Sequence, residues 1–212
     1  MGLTHPAYGQ LRQVTPTAAV VLASNPGMMT IDGTNTWILR APGAAESIVI
    51  DPGPRDRRHA EAVAAAAGQV ALTLVTHWHA DHTGGIGRHH KLTQSPIRAM
   101  DAKYVRDAEV LADGEVIEAA GLRLQVVHTP GHTADSLSFV LDDAVLTGDT
   151  ILGSGTTVLS SSDTALADYL ESLERIFKLG AGKALLPAHG PDHPDAAIVA
   201  RQYLDHRRAR LD

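Results

Sequence analysis

The chain has 212 residues, 44% of them apolar, 20% charged and 4% aromatic. That is ordinary globular composition, and it excludes a disordered, collagenous or coiled-coil chain. It contains no Cys, so a disulfide framework, a thiol nucleophile, a zinc finger and an iron–sulfur site are ruled out. The formal net charge of −6, from 18 basic and 24 acidic residues, argues against a surface that coats nucleic acid, although a local basic groove remains compatible with it.

The length suits a single domain over residues 1–212, long enough to bury a core without staples. Residues 18–24 read as a strand that ends in the turn Asn25-Pro26-Gly27. Residues 36–40 and 47–50 read as two more strands, joined by Pro42-Gly43. Residues 57–67 are Ala-rich and stop at Gly68, as a helix does. Residues 71–76 form a short apolar run, expected to be a buried strand. Residues 96–100, 123–127, 138–141 and 144–147 are further strands, with Asp142-Asp143 as the turn of the last hairpin. Leu166, Leu170, Leu173, Ile176 and Phe177 recur at helical spacing, with Asp163 or Thr164 to cap the start and Gly180 to end the helix. Residues 185–187 give a last strand and residues 196–208 a last helix. Strands and helices alternate, with hairpins among them, which predicts a layered α/β sandwich.

The apolar run 18–23 is far shorter than the roughly 20 residues that span a bilayer. Residues 1–16, with His5, Pro6, Arg12 and Pro16, lack the apolar core of a signal peptide. The expectation is a cytoplasmic protein with no membrane partner.

The 12 histidines are not scattered. Thr76-His77-Trp78-His79-Ala80-Asp81-His82 puts three imidazoles and a carboxylate just past the strand 71–76. Residues two apart diverge on a helix and share a side in extended backbone. His77 and His79 can therefore meet at one metal only if the chain stays extended, and Asp81 and His82 can then serve a second. Imidazole and carboxylate without thiolate suit Zn, with Fe, Mn or Co as alternatives. Three later segments have the same character: His132 in Thr129-Pro130-Gly131-His132-Thr133, Asp149 in Gly148-Asp149-Thr150, and His189 in Ala188-His189-Gly190. Each candidate follows a strand and adjoins Gly, which lets the backbone come close to a shared site.

This set, His77-x-His79-x-Asp81-His82 with His132, Asp149 and His189, resembles the metallo-β-lactamase superfamily. The resemblance runs from Asn25 to about Arg208. It implies an αββα sandwich, two mixed β-sheets flanked by helices, with two metal ions at one sheet edge. It implies that His77, His79 and His132 hold the first ion, that Asp81, His82 and His189 hold the second, and that Asp149 bridges them. Within the superfamily the nearest likeness is to the mitochondrial β-lactamase-like endoribonucleases and their bacterial relatives. It is carried by Asn25-Pro26-Gly27, Gly33-Thr34-Asn35-Thr36-Trp37, Asp51-Pro52-Gly53, Thr76-His77-Trp78-His79, Gly84-Gly85-Ile86, and Ile151-Leu152-Gly153 through Gly155-Thr156-Thr157. Those enzymes continue past the last ligand into a further helical segment; this sequence ends at Asp212, so that segment is expected to be absent or truncated.

Two adjacent dications lower the pKa of a shared water from 15.7 to about 7, so a metal-bridging hydroxide is the expected nucleophile. Asp81 and Asp149 are the expected catalytic carboxylates, Asp81 to orient the nucleophile and Asp149 to hold the ions together. Asp51 is expected to fix the metal histidines from behind. Asn35, Thr156 and Thr157 are candidates for substrate contact. Trp78 is expected to pack away from the ligands, His128 to be a strand residue, and His89 and His90 to lie in a solvated loop or helix end. Arg201, His206, Arg207, Arg208 and Arg210 form a basic run, read as a solvated helix end whose cations suit the helix dipole. Two functions follow from different classes of substrate. The first is an endoribonuclease on single-stranded RNA. The second is a hydrolase of small thioesters, lactones or other acyl compounds, with true β-lactamase action a weaker third and a purely structural metal site outside the enzymes altogether.

Overall fold

Apolar side chains alternate along the strands in the way two facing sheets require. In the computed structural model, which describes residues 8–162 and 164–209, β2 (Ala18–Leu22), β3 (Asn35–Leu39) and β4 (Glu46–Ile50) send Val20, Trp37, Leu39, Ile48 and Ile50 into a shared core. Their alternate residues Val21, Ile38 and Val49 face the other way. β8 (Leu122–His128), β9 (Leu137–Val140), β10 (Ala144–Gly148) and β11 (Ala184–Pro187) close that core from the opposite side with Leu124, Val126, Leu137, Phe139, Leu146 and Leu186.

The first sheet has six strands. It adds β1 (Leu11–Gln13), β5 (Gln69–Leu74) and β6 (Ile97–Arg98) and runs in the order β1-β2-β3-β4-β5-β6. The second adds β7 (Val116–Ala119) and runs β11-β10-β9-β8-β7. Both are mixed: β4–β5 and β5–β6 pair in parallel in one, β10–β11 in the other. Parallel neighbours need a crossover, and helices supply it. α1 (Arg57–Ala67) joins β4 to β5, and α2 (Ala80–Thr83) with α3 (Ile86–Thr93) joins β5 to β6. α4 (Ala165–Leu179) joins β10 to β11, and α5 (Ala196–Arg208) follows β11.

The helices cover the two outer faces. Val63 and Ala67 of α1 pack on Val21, Ile38 and Val49. Tyr169, Leu173 and Ile176 of α4 and Val199, Ala200 and Leu204 of α5 pack on Val127, Val140, Val145 and Leu185. The result is the expected αββα sandwich of two mixed sheets flanked by helices.

Several helix ends follow local chemistry. Asp56 caps α1 by accepting from Arg58 N (2.7 Å) and His59 N (3.1 Å), and Gly68 ends it at φ 67°. α4 differs from expectation: Thr164 precedes it in helical backbone, and its side chain makes no capping bond. Asp163, the alternative cap, lies outside the described residues, as do Arg210 and residues 1–7 with His5 and Pro6. Five elements among the described residues were not anticipated: β1, β7, α2, α3 and the 3₁₀ turn Ala102–Tyr104. Each of these strands is only three or four residues long, and both helices begin in a segment rich in His and Gly, where apolar periodicity is too weak to read. No helix among the described residues is long and apolar enough to cross a membrane.

Candidate metal centre and cleft

The ligand candidates lie in loops that leave the C-terminal ends of β5, β10 and β11 and in the turn between β8 and β9. The two sheets meet there. Leu137 N donates to Thr76 O (2.8 Å) and Ala188 N to Gly148 O (3.1 Å), which ties the loop after β5 to the start of β9 and the loop after β11 to the end of β10. After β5 the chain bends at Thr76 and is not helical again until α2; His79 itself has extended backbone (φ −57°, ψ 148°), which lets His77 and His79 converge.

They do converge. His79 Nδ1 lies 2.9 Å from His77 Nε2 and 3.0 Å from His132 Nε2. Asp149 Oδ2 lies 3.9 Å from His77 Nε2 and 3.4 Å from His132 Nε2. Beside this group, Asp81 Oδ2 lies 3.2 Å from both His82 Nε2 and His189 Nε2. Asp149 turns its other oxygen to the second group, with Oδ1 3.6 Å from His82 Nε2 and 3.4 Å from His189 Nε2. One carboxylate thus faces two clusters of donor atoms, His77–His79–His132 and Asp81–His82–His189.

These donors fit divalent metal ions. Ligands about 2 Å from a tetrahedral ion stand about 3.3 Å from one another, and the separations above bracket that value. His82 Nε2 and Asp149 Oδ1 are buried and make no hydrogen bond, although an opposite partner is near each. Donor atoms that approach each other without bonding are aimed at a common third point. The remote ring nitrogens are occupied. His132 Nδ1 meets Val158 O at 2.7 Å, His189 Nδ1 meets Gly33 O at 3.0 Å, and His77 Nδ1 meets Thr76 Oγ1 at 3.0 Å. Carbonyls only accept, so His132 and His189 carry a proton on Nδ1 and turn Nε2 toward the centre.

Electrostatics agree with this. Burial, and then the neighbouring His82, push the pKa of His77 well below the usual imidazole value, and burial lowers that of His79, so both rings are neutral donors. Burial opposes charge on His82, but Asp51 and Asp149 together hold its pKa well above normal. Burial likewise opposes charge on His189, which Asp149 and Asp81 push up to about 9. Three carboxylates make this second cluster a place that favours positive charge, whether a proton or a metal ion.

Asp51 lies behind the cluster. Its carboxylate accepts from Thr76 N (2.8 Å), Thr76 Oγ1 (2.7 Å) and His82 Nδ1 (2.8 Å). Gly148 is required by the same crowding. A Cβ there would stand 2.8 Å from Thr76 Cβ, and its φ is 50°.

An open cleft of about 190 Å³ adjoins His132 and Asp149, and Thr156 and Thr157 line it. Thr157 is buried and donates to Asp149 O at 2.9 Å, whereas Thr156 is exposed. The rest of the wall is mostly apolar: Met28, Met29, Ile31, Leu152 and Val158. Sequence reasoning missed these residues. The signal available was the Met28-Met29 pair directly after the Asn25-Pro26-Gly27 turn.

Four other expectations change. Asn35 does not line the cleft: it sits in β3, and its amide donates to Pro187 O and Gly190 O, both at 3.0 Å, which clasps the His189 loop. Trp78 is not packed away but 48% exposed, with its ring edge-on to His79 at 4.3 Å. His89, on α3, is fully buried, 2.9 Å from Thr73 Oγ1, whereas His90 lies in the last turn of α3, a helix end as expected, 3.2 Å from Asp107 Oδ2. Arg207 is no solvated cation, since it donates to Thr157 O and lies over the Tyr169 ring. Its neighbour Arg208 pairs with Glu174 at 2.7 Å. His128 is the last residue of β8, as expected.

Residues 29–109 and 89–189 match the family model of the metallo-beta-lactamase superfamily, and the chain belongs to that superfamily. It is 34% identical to an atrochrysone carboxyl ACP thioesterase of Aspergillus fumigatus, over 97% of this chain and 66% of that protein. It is 33% identical to a beta-lactamase-like protein 2 homolog of Caenorhabditis elegans, over 98% of this chain and 72% of that one. The chain thus spans about two thirds of the length of the curated relatives it matches. The crystal structure of a beta-lactamase domain protein from Burkholderia ambifaria shares the fold, with a TM-score of 0.82 at 23% identity over 99% of this chain and 79% of that one.

Proposed function

We propose that the chain is a metal-dependent hydrolase of small acyl compounds, thioesters foremost. The observation that carries this reading is the cleft wall beside His132 and Asp149. Met28, Met29, Ile31, Leu152 and Val158 line it, and no Lys or Arg is among its residues. An acyl chain gains from such a wall by burying its methylenes. A polynucleotide needs cations along its phosphates. The A. fumigatus relative, a thioesterase by name, supports the same choice. The RNA reading, first on sequence alone, therefore comes second.

His77, His79 and His132 would hold one ion and Asp81, His82 and His189 another, with Asp149 between them. Zn is the expected metal, with Fe or Mn as alternatives. Bound dications would lower the pKa of water and polarise the acyl oxygen. Asp81 is 24% exposed, the most open carboxylate of the centre. Burial raises its pKa, but His189 and His82 hold it well below the usual carboxylate range, so it would orient the attacking water as an acceptor and stay ionised. As water adds to the acyl carbon, the carbon–sulfur bond breaks, and the thiolate leaves with a proton that the water has given up. Thr156, at the open end of the cleft, would hydrogen-bond the polar part of the substrate. Thr157 would keep Asp149 in place through its backbone.

The test is hydrolysis of a thioester series of increasing chain length, run beside a lactone and a labelled single-stranded RNA. His79→Ala and Asp149→Ala proteins control for contaminants. Thioester turnover that vanishes in both variants is the expected result. RNA cleavage that vanishes in both, with every acyl substrate intact, would overturn the reading.

A further inference from the structure

We propose that His59, on α1 and outside the ligand set, is a positioning residue for the metal centre, acting through Thr36 and the Asp51 turn. It rests on the metal-centre part of the reading above, not on the choice of substrate. His59 is 3% exposed and Thr36 is fully buried. His59 Nε2 lies 2.8 Å from Thr36 Oγ1, and that hydroxyl donates to Asp51 O at 2.6 Å. The Thr36 proton is therefore used, and His59 must be the donor of the pair, with its proton on Nε2. Its Nδ1 is then an acceptor, and it is buried with no partner.

The ring also sets the shape of the turn. A Cβ on Gly53 would stand 2.5 Å from His59 Cδ2 and Nε2, so the imidazole occupies the side of Asp51-Pro52-Gly53 that any other residue would fill. Asp51 has a φ of 53°, a conformation that a non-glycine residue holds only when its surroundings impose it. His59 is part of what imposes it. The carboxylate so placed grips Thr76 N, Thr76 Oγ1 and His82 Nδ1. The charged and titratable groups facing His59 are Asp56, at the start of its own helix, and His89 from α3. A core position that served packing alone would gain more from Leu than from an imidazole with an unpartnered buried nitrogen.

Three variants test this by metal binding, with no substrate involved, so failure of the acyl reading leaves the result meaningful. His59→Leu keeps the bulk and removes the donor. Thr36→Val cuts the same relay while leaving His59 in place, which covers the case of a poorly folded Leu variant. His59→Gln puts an amide donor near the position of Nε2. Ion affinities are read by chelator competition and unfolding temperatures in parallel. Removing a partner that orients a ligand costs roughly 10–100-fold in affinity. His59→Leu and Thr36→Val are expected to weaken one ion by about 10-fold, at the low end because the effect passes through Asp51. His59→Gln should restore most of it. Lowered unfolding temperatures with unchanged affinities in both His59→Leu and Thr36→Val would make His59 a plain core residue and overturn the inference. So would a parent chain that takes up no second ion.

Discussion

Asp51 and His82 meet in a 2.8 Å hydrogen bond between Oδ2 and Nδ1 at a depth where neither is accessible to water. The bond fixes the orientation of the ring that presents Nε2 to Asp81 and Asp149. Asp51→Ala leaves the ring free to turn and its Nδ1 proton unpaired. Metal affinity is expected to fall roughly 10–100-fold, read by chelator competition, while far-UV circular dichroism stays that of the parent. Unchanged affinity would show that the Asp51 bond serves folding alone.

Metal removal should abolish hydrolysis without unfolding the chain. The core between the sheets is built from residues such as Trp37, Phe139 and Leu146, none of which is a ligand candidate. Restoring the ion to about 100 times its dissociation constant should stabilise the fold by about 2.7 kcal/mol. The unfolding temperature with and without chelator checks this.

Gly148→Ala forces a Cβ to within 2.8 Å of Thr76 Cβ at a backbone φ of 50°. The expected cost is about 1–3 kcal/mol from strain and overpacking. Because Thr76 Oγ1 is bonded to both Asp51 and His77, metal affinity should fall with it. Urea denaturation and metal titration of the same variant would show the two effects together or separate them.

Burial pushes the pKa values of His59 and His89 down to about 4, against about 6.5 in the unfolded chain. Between these values the unfolded state binds more protons, so stability rises with pH. It is complete above about pH 6.5 and is lost as the pH falls toward 4, by up to about 3 kcal/mol for each ring. His189, pushed up to about 9, acts at higher pH and in the opposite sense, which keeps the two windows apart. Urea midpoints from pH 4.5 to 6.5 should show the slope, and His89→Gln should flatten it.

Val158 is 57% exposed at the cleft, so the fold should tolerate Val158→Lys. For each methylene that reaches the wall, about 0.8 kcal/mol of burial corresponds to about 4-fold in KM. The variant should flatten the dependence of KM on acyl chain length and leave kcat for the shortest thioester within about 2-fold. A steep dependence in Val158→Lys would place the acyl group elsewhere.

Much of this was legible in the residues. Apolar runs and their Gly and Pro stops placed the long strands, and the helix 196–208 matches α5. The spacing of His77, His79, Asp81 and His82 pointed to metal chemistry because those residue types gain little from such density except through a shared ligand. Trp78 was misread because alternation tells which side a residue leaves, not what else stands there. His89 was misread because a buried His is written no differently from an exposed one, and only Thr73 on the neighbouring strand explains its burial.

Local pattern thus determined the layered fold and the inventory of ligand candidates, since strand and helix periodicity and donor chemistry are properties of nearby residues. Only the tertiary structure decided that Asn35 is a clasp on the His189 loop, that Asp51 grips Thr76 and His82 together, and that the cleft wall is Met28, Met29, Ile31, Leu152 and Val158. Each of these joins residues more than 100 positions apart or on different loops, and chain folding, not sequence spacing, sets the distances between them.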